Sequence, residues 1–184
     1  MNRVIALVGM CGSGKSVCCE VFQSRGWEYV YFGGVTMAEL EKRGLEKNEA
    51  NERMVREELR REYGPAAFAI LLKPVIREKL ARGNVCLDGL YSWSEYKILK
   101  EELGDVMEVA AVITNRATRY ERISRRAVRP LTPAQAQSRD IAEIENMEKG
   151  GPIALADYFL MNDGSMEDLT ARTHALIDSV EKSR

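Results

Sequence analysis

The chain is 184 residues long, 45% hydrophobic and 30% charged, which suits one domain with a sizeable core. A formal net charge of -1 excludes the broad basic footprint of a nucleic-acid or anionic-membrane binder, so any cationic chemistry has to be local. The first apolar run is too short for a signal peptide or a transmembrane helix, so a cytoplasmic protein is expected, with neither nucleic acid nor membrane as partner.

Val4, Ile5, Leu7 and Val8 read as a buried strand ending at Gly9, and Ser16 to Arg25 as a helix stopped by Gly26. Between them Gly9 to Ser16 spells G-x-x-x-x-G-K-S. Gly9, Gly12 and Gly14 let successive backbone N–H groups aim inward at phosphate oxygens, and the helix start adds its dipole. Lys15 is expected on the β and γ phosphates of ATP, and the Ser16 hydroxyl on Mg2+. Gly9, Gly12, Ser13, Gly14, Lys15, Ser16 and Val17 are thus the candidate donor-binding residues.

Trp27 to Phe32 is a second strand, followed by Gly33-Gly34 and a helical segment from Thr36 to Arg43. A charged helix spans Asn48 to Tyr63, with Arg53, Arg56 and Arg60 at i, i+3 and i+7. That face reads first as solvated i,i+4 ion pairs, with a grip on an anionic acceptor phosphate as the alternative. Pro65 opens an apolar helix with an expected kink at Pro74. Asn84 to Asp88 is the third strand. Ligands of open parallel sheets bind at the carboxyl ends of strands, so Asp88 is a candidate for magnesium or for an incoming hydroxyl. Ser92 and Glu95 have capping-box spacing before a helix from Trp93 to Leu103, and Val106 to Thr114 is the fourth strand.

Six arginines follow, Arg116, Arg119, Arg122, Arg125, Arg126 and Arg129. Arg119, Arg122 and Arg126 at i, i+3 and i+7 would present three guanidiniums on one face, suited to the developing charge of a transferred phosphoryl group. An RNA-binding or merely solvated basic helix is the competing account. Thr132, Pro133 and Gln135 open a helix running to about Lys149, and with the arginine segment it has the layout of a lid. Ile153 to Met161 is expected as strand five. Asn162-Asp163-Gly164 is a turn, and Ser165 with Asp168 starts the closing helix to about Lys182. The four cysteines, Cys11, Cys18, Cys19 and Cys86, match no zinc spacing and read as core thiols. The expected fold is a single α/β domain over 1–184, three-layered, with a five-stranded parallel sheet in the order 2-3-1-4-5. A helical acceptor-side insertion is expected at about 34–82 and the lid at about 116–150.

GMCGSGKS, CLDG, TRYERISRR and IALADYFLMNDGSMEDL together resemble the nucleoside monophosphate kinase group of P-loop proteins. They are most similar to a branch related to dephospho-CoA kinase and adenylate kinase, and the likeness runs from about Arg3 to Ile177. The resemblance implies base contacts for Asn162, Asp163 and Gly164, and lid roles on the phosphates for Arg119, Arg122 and Arg126. That branch has a G-D pair and a nearby arginine after strand two, and D-G-x-R-S after strand three. Here Gly34 stands for the carboxylate, and Met37 and Tyr91 stand for arginines. The donor side is complete and the acceptor side altered. The expected activity is therefore an ATP- and magnesium-dependent kinase for a small nucleotide-like or coenzyme-like acceptor, with Lys15, Asp88, Arg119, Arg122 and Arg126 as catalytic residues. The alternative is a non-catalytic or weakly hydrolytic nucleotide-binding regulatory protein. A GTPase is disfavoured because no N-K-x-D motif occurs.

Overall fold

Five short strands form one parallel sheet in the order β2-β3-β1-β4-β5. They are β1 (Val4–Val8), β2 (Glu28–Tyr31), β3 (Val85–Asp88), β4 (Met107–Ile113) and β5 (Tyr158–Met161). The computed structural model describes residues 1–127 and 130–182; Arg129, counted in the basic segment, lies outside them. The helices are α1 (Lys15–Ser24), α2 (Gly33–Lys42), α3 (Glu49–Tyr63), α4 (Ala67–Arg82), α5 (Trp93–Leu103), α6 (Arg116–Ser124), α7 (Pro133–Glu145), α8 (Gly150–Ala154) and α9 (Met166–Lys182). The topology and the parallel pairing are those expected from the alternation of apolar runs and helical segments.

The three layers follow from the period of two along a strand. Val4, Ala6 and Val8 of β1 point into a core shared with α2 to α5, through Leu40, Val55, Phe68 and Leu99. Ile5 and Leu7 point the other way, onto Cys18, Phe22, Leu169 and Ile177 of α1 and α9. Every residue of β1 is fully buried, as a central parallel strand must be when helices cover both faces. Cys18 and Cys19 both join the core beneath α1, where the Thr173 hydroxyl lies 3.4 Å from Cys18 Sγ, and all four cysteines are buried free thiols. Capping is local and legible: Ser92 and Glu95 form a reciprocal box at α5, Thr132 and Gln135 another at α7, and the Asn48 side chain caps α3.

Two expectations need correction. The helix opened by Thr132 stops at Glu145 instead of reaching Lys149, and Gly150–Ala154 forms a separate turn of helix, so strand five begins at Tyr158 and not Ile153. Pro152 accounts for part of this: it has no N–H for a ladder but fits the first turn of a helix. The chain joins the sheet only where Asp157 clamps Val109, its Oδ2 accepting the Val109 N–H at 2.8 Å and its own N–H donating to the Val109 carbonyl at 2.9 Å. At Pro74, where a kink is expected, α4 continues as one helix from Ala67 to Arg82.

Candidate active site

The loop from Gly9 to Gly14 leaves β1 and enters α1 with glycines where side chains cannot go. Gly14 has φ +102°, and a Cβ there would run into the Asn162 amide; at Gly12 (φ +82°) it would meet Ile123 of α6 at 2.8 Å. The loop is braced from below, because the Ser13 carbonyl accepts hydrogen bonds from Asn162 Nδ2 at 2.7 Å and from Thr114 Oγ1 at 3.0 Å. Ser16 is exposed on the first turn of α1, and the Val17 N–H closes that turn on the Gly14 carbonyl. Lys15 folds back over the loop, its Nζ donating to the Gly9 carbonyl at 2.7 Å. Burial, and next the charge of Lys149, bring its pKa down to about 8.

Beside the loop, Leu7 of β1 pairs with Asp88, so the Asp88 carboxylate emerges at the end of the strand next to the phosphate loop, where Tyr29 Oη donates to its Oδ2 at 2.7 Å. Burial, reinforced by Asp88, pushes the Tyr29 hydroxyl well above its ordinary range, so it remains a donor. Ser16 and Asp88 are two hard oxygen groups; a magnesium ion would complete its shell with water and phosphate oxygens. Among the described residues no cluster of three or more His, Cys, Asp or Glu could hold a metal unaided.

The arginine face does not form as periodicity alone suggests. Arg119 turns inward, 6% exposed, and donates to both oxygens of Asp140 (2.8 and 2.6 Å) and to the Cys11 carbonyl (3.0 Å). Arg122 is spent on the carbonyls of Asn162 (3.0 Å) and Gly164 (3.2 Å), and Arg126 lies beyond the end of α6 with Nη1 3.7 Å from Cys11 Sγ. The physical reason is that α6 ends at Ser124, so the 3.6-residue period does not carry Arg126 onto a common face. The closing turn is used structurally too: Asn162 braces the loop, and Asp163 Oδ1 accepts from the Asn115 N–H at 2.8 Å.

A cavity of about 400 Å³ opens between α2, α3 and α7, walled by Phe32, Phe68 and Tyr91 and reached by Arg56, Arg60 and Arg139. Of the arginine row on α3, Arg56 and Arg60 reach it, whereas Arg53 pairs with Glu57 at 2.8 Å on the solvent side. Arg60 lies 5.0 Å over the Phe68 ring, and burial holds its guanidinium below its ordinary pKa. The Thr36 hydroxyl, in the lining, is buried without a hydrogen-bond partner. Tyr91, where an arginine was expected by resemblance, meets Phe32 edge-on at 6.5 Å, whereas Trp93 stacks on Tyr96 at 5.0 Å outside the lining.

Glu143, Lys149, Arg139 and Thr36 are site residues that the motifs did not point to. Glu143 Oε2 accepts from the Cys11 N–H at 3.3 Å and lies 2.7 Å from Lys149 Nζ, while Arg139 Nε reaches Oε1 at 3.3 Å. Burial alone would raise the Glu143 pKa, but Lys149 and Arg139 outweigh it and hold the carboxylate below its usual range. The only signal in sequence was a pair of opposite charges at the end of the lid segment, which reads like any solvated helix end.

The AAA domain family model matches residues 8–148, from the last residue of β1 to the stretch between α7 and α8. A UPF0200 protein of Thermococcus kodakarensis is 34% identical over 181 residues, covering 96% of this chain and 97% of that protein. A UPF0200 protein of Aeropyrum pernix is 37% identical over 172 residues, 91% of this chain and 89% of its own. Among solved structures, dephospho-CoA kinase from Campylobacter jejuni superposes with a TM-score of 0.59 at 16% identity, covering 97% of each chain. Shikimate kinase from Aquifex aeolicus gives 0.61 at 16% identity, covering 97% of this chain and 98% of its own. At these identities the likeness is one of fold.

Proposed function

The chain belongs to the AAA domain family and to the UPF0200 proteins, and its fold is that of the P-loop kinases; on that premise we propose that it is an ATP- and magnesium-dependent phosphotransferase acting on a small, anionic acceptor. The observation that carries this reading is the junction of two spaces: Glu143 lines the 400 Å³ cavity and accepts the Cys11 N–H of the glycine loop, so the two meet at this carboxylate. A donor phosphate on the loop and an acceptor in the cavity would therefore share one boundary.

The protein's contribution is placement and charge. Loop amides from Gly12 to Val17 cradle phosphate oxygens, and Lys15 exchanges the Gly9 carbonyl for one of them. Ser16 and Asp88 would hold magnesium, which would supply positive charge against the phosphate oxygens. Arg56, Arg60 and Arg139 bind the anionic part of the acceptor, and Thr36 Oγ1 supplies a hydrogen bond. Arg126 lies beside Cys11 of the loop and Arg122 holds the closing turn, while Arg119 positions the lid by binding Asp140. Water is excluded by α6 and α7 where Ile123, Ala136 and Cys11 pack together.

Radiolabelled ATP offered with nucleoside monophosphates, dephospho-CoA and small hydroxy acids tests the reading directly. Label should appear on one acceptor class, with transfer lost in Lys15→Ala. Slow ATP hydrolysis with every acceptor would replace this reading with that of a nucleotide-binding regulatory protein, which the altered Gly34, Met37 and Tyr91 favour.

A further inference from the structure

Glu143 and Lys149 are among the most deeply buried charges of the molecule, with side chains 7% and 3% exposed. They sit at the boundary between loop and cavity. One oxygen of the carboxylate takes both the loop amide of Cys11 and the Lys149 ammonium, and the other takes Arg139. Lys149 Nζ also lies 5.3 Å from the centroid of the Tyr91 ring, a wall of the cavity. An anion, two cations and a phosphate-loop N–H thus converge on a point that a plain structural ion pair has no need to touch. A carboxylate and a phosphate present the same kind of acceptor oxygen to such donors.

We infer that Lys149 is a phosphate-binding residue of this site and that Glu143 is its placeholder, occupying on the Cys11 amide and on Lys149 the position that a terminal phosphate oxygen takes. The inference rests on the phosphotransferase reading and adds to it a second lysine. Removing a buried ammonium from Glu143, the one carboxylate it pairs with among the described residues, is unfavourable, so Lys149 exchanges one anion for another and is never left bare. Two consequences follow. Glu143 competes with phosphate for the loop, which weakens polyphosphate binding. Displacing it hands Lys149 and Arg139 together to the group being transferred, at the mouth of the cavity where the acceptor sits.

Calorimetric titration with inorganic pyrophosphate, then with ATP and magnesium, provides the test. Glu143→Gln keeps the shape, removes the competing charge and should tighten pyrophosphate binding about tenfold. Lys149→Met should weaken it by a similar factor, with partial recovery in Lys149→Arg. Because a lone buried charge can itself impair folding, the pair Glu143→Gln with Lys149→Met removes both together; this protein should bind pyrophosphate more weakly than Glu143→Gln alone. A purely structural pair predicts altered melting with unchanged pyrophosphate affinity, and equal affinities of the wild type, Glu143→Gln and the double variant overturn the inference while leaving the phosphotransferase reading intact. If the wild type binds neither pyrophosphate nor ATP, both fall.

Discussion

Arg119 of α6 and Asp140 of α7 meet through two parallel hydrogen bonds of 2.8 and 2.6 Å, and the same guanidinium holds the Cys11 carbonyl of the phosphate loop at 3.0 Å. One side chain therefore ties the two helices over the loop to each other and to the loop itself. Breaking a buried pair strands a charge, so Asp140→Ala should cost about 3–5 kcal/mol in chemical denaturation. Replacing both residues by Met and Leu should recover most of it. A loss under 1 kcal/mol for Asp140→Ala would mean that the bolt carries little load.

Gly14 and Gly26 both have positive φ, +102° and +78°, but only Gly14 faces a neighbour, the Asn162 amide; the space around Gly26 is open. Gly26→Ala should cost the backbone strain alone, about 1 kcal/mol, and leave pyrophosphate binding unchanged. Gly14→Ala adds displacement of Asn162 from the Ser13 carbonyl and should weaken pyrophosphate binding at least tenfold. Equal binding by the two variants would remove Asn162 from the list of loop supports.

Glu95 is wholly buried: Oε2 accepts from the N–H groups of Tyr91 and Ser92, and Oε1 has no partner. Burial pushes its pKa from 4.5 up to about 7. Because the folded value lies above the unfolded one, the fold favours the protonated acid. That stabilisation is complete below about pH 4.5 and is lost as pH rises through about 7. The contribution is on the order of 3 kcal/mol. Glu95→Gln should therefore flatten the decline in stability between pH 5 and pH 8 seen for the wild type, as followed by urea midpoints at half-unit steps of pH. Parallel pH curves for the two proteins would contradict the assignment.

Asp88 at the end of β3 is held by the Tyr29 hydroxyl at 2.7 Å. Asp88→Asn should reduce magnesium-dependent transfer at least 100-fold while leaving metal-free pyrophosphate binding within twofold. Tyr29→Phe, which releases Oδ2, should lower the apparent magnesium affinity by severalfold. An unchanged magnesium dependence in Asp88→Asn would place the metal elsewhere.

The phosphate loop, the five-stranded order and most helix boundaries were legible in the chain because each is written locally, in alternating apolar residues, capping pairs and glycines. Asp88 was legible at one remove, from the rule that ligands sit at strand ends. The arginines show where local reading stops. Periodicity places Arg119 on a phosphate-facing stripe, yet Asp140, twenty-one residues later, captures it. Likewise Glu143 and Lys149 have no motif, and Tyr91 occupies a position where resemblance led to the expectation of an arginine.

By itself the sequence determined the strand, glycine turn and helix start that make the loop, because these are contiguous residues with local backbone preferences. Only the tertiary structure decided what surrounds it. Which guanidiniums reach the cavity and which are bolted, and which carboxylate rests on the loop amide, depend on the loop at Cys11 being buried against charged side chains more than a hundred residues further along the chain. Burial then forces each of them to find a partner.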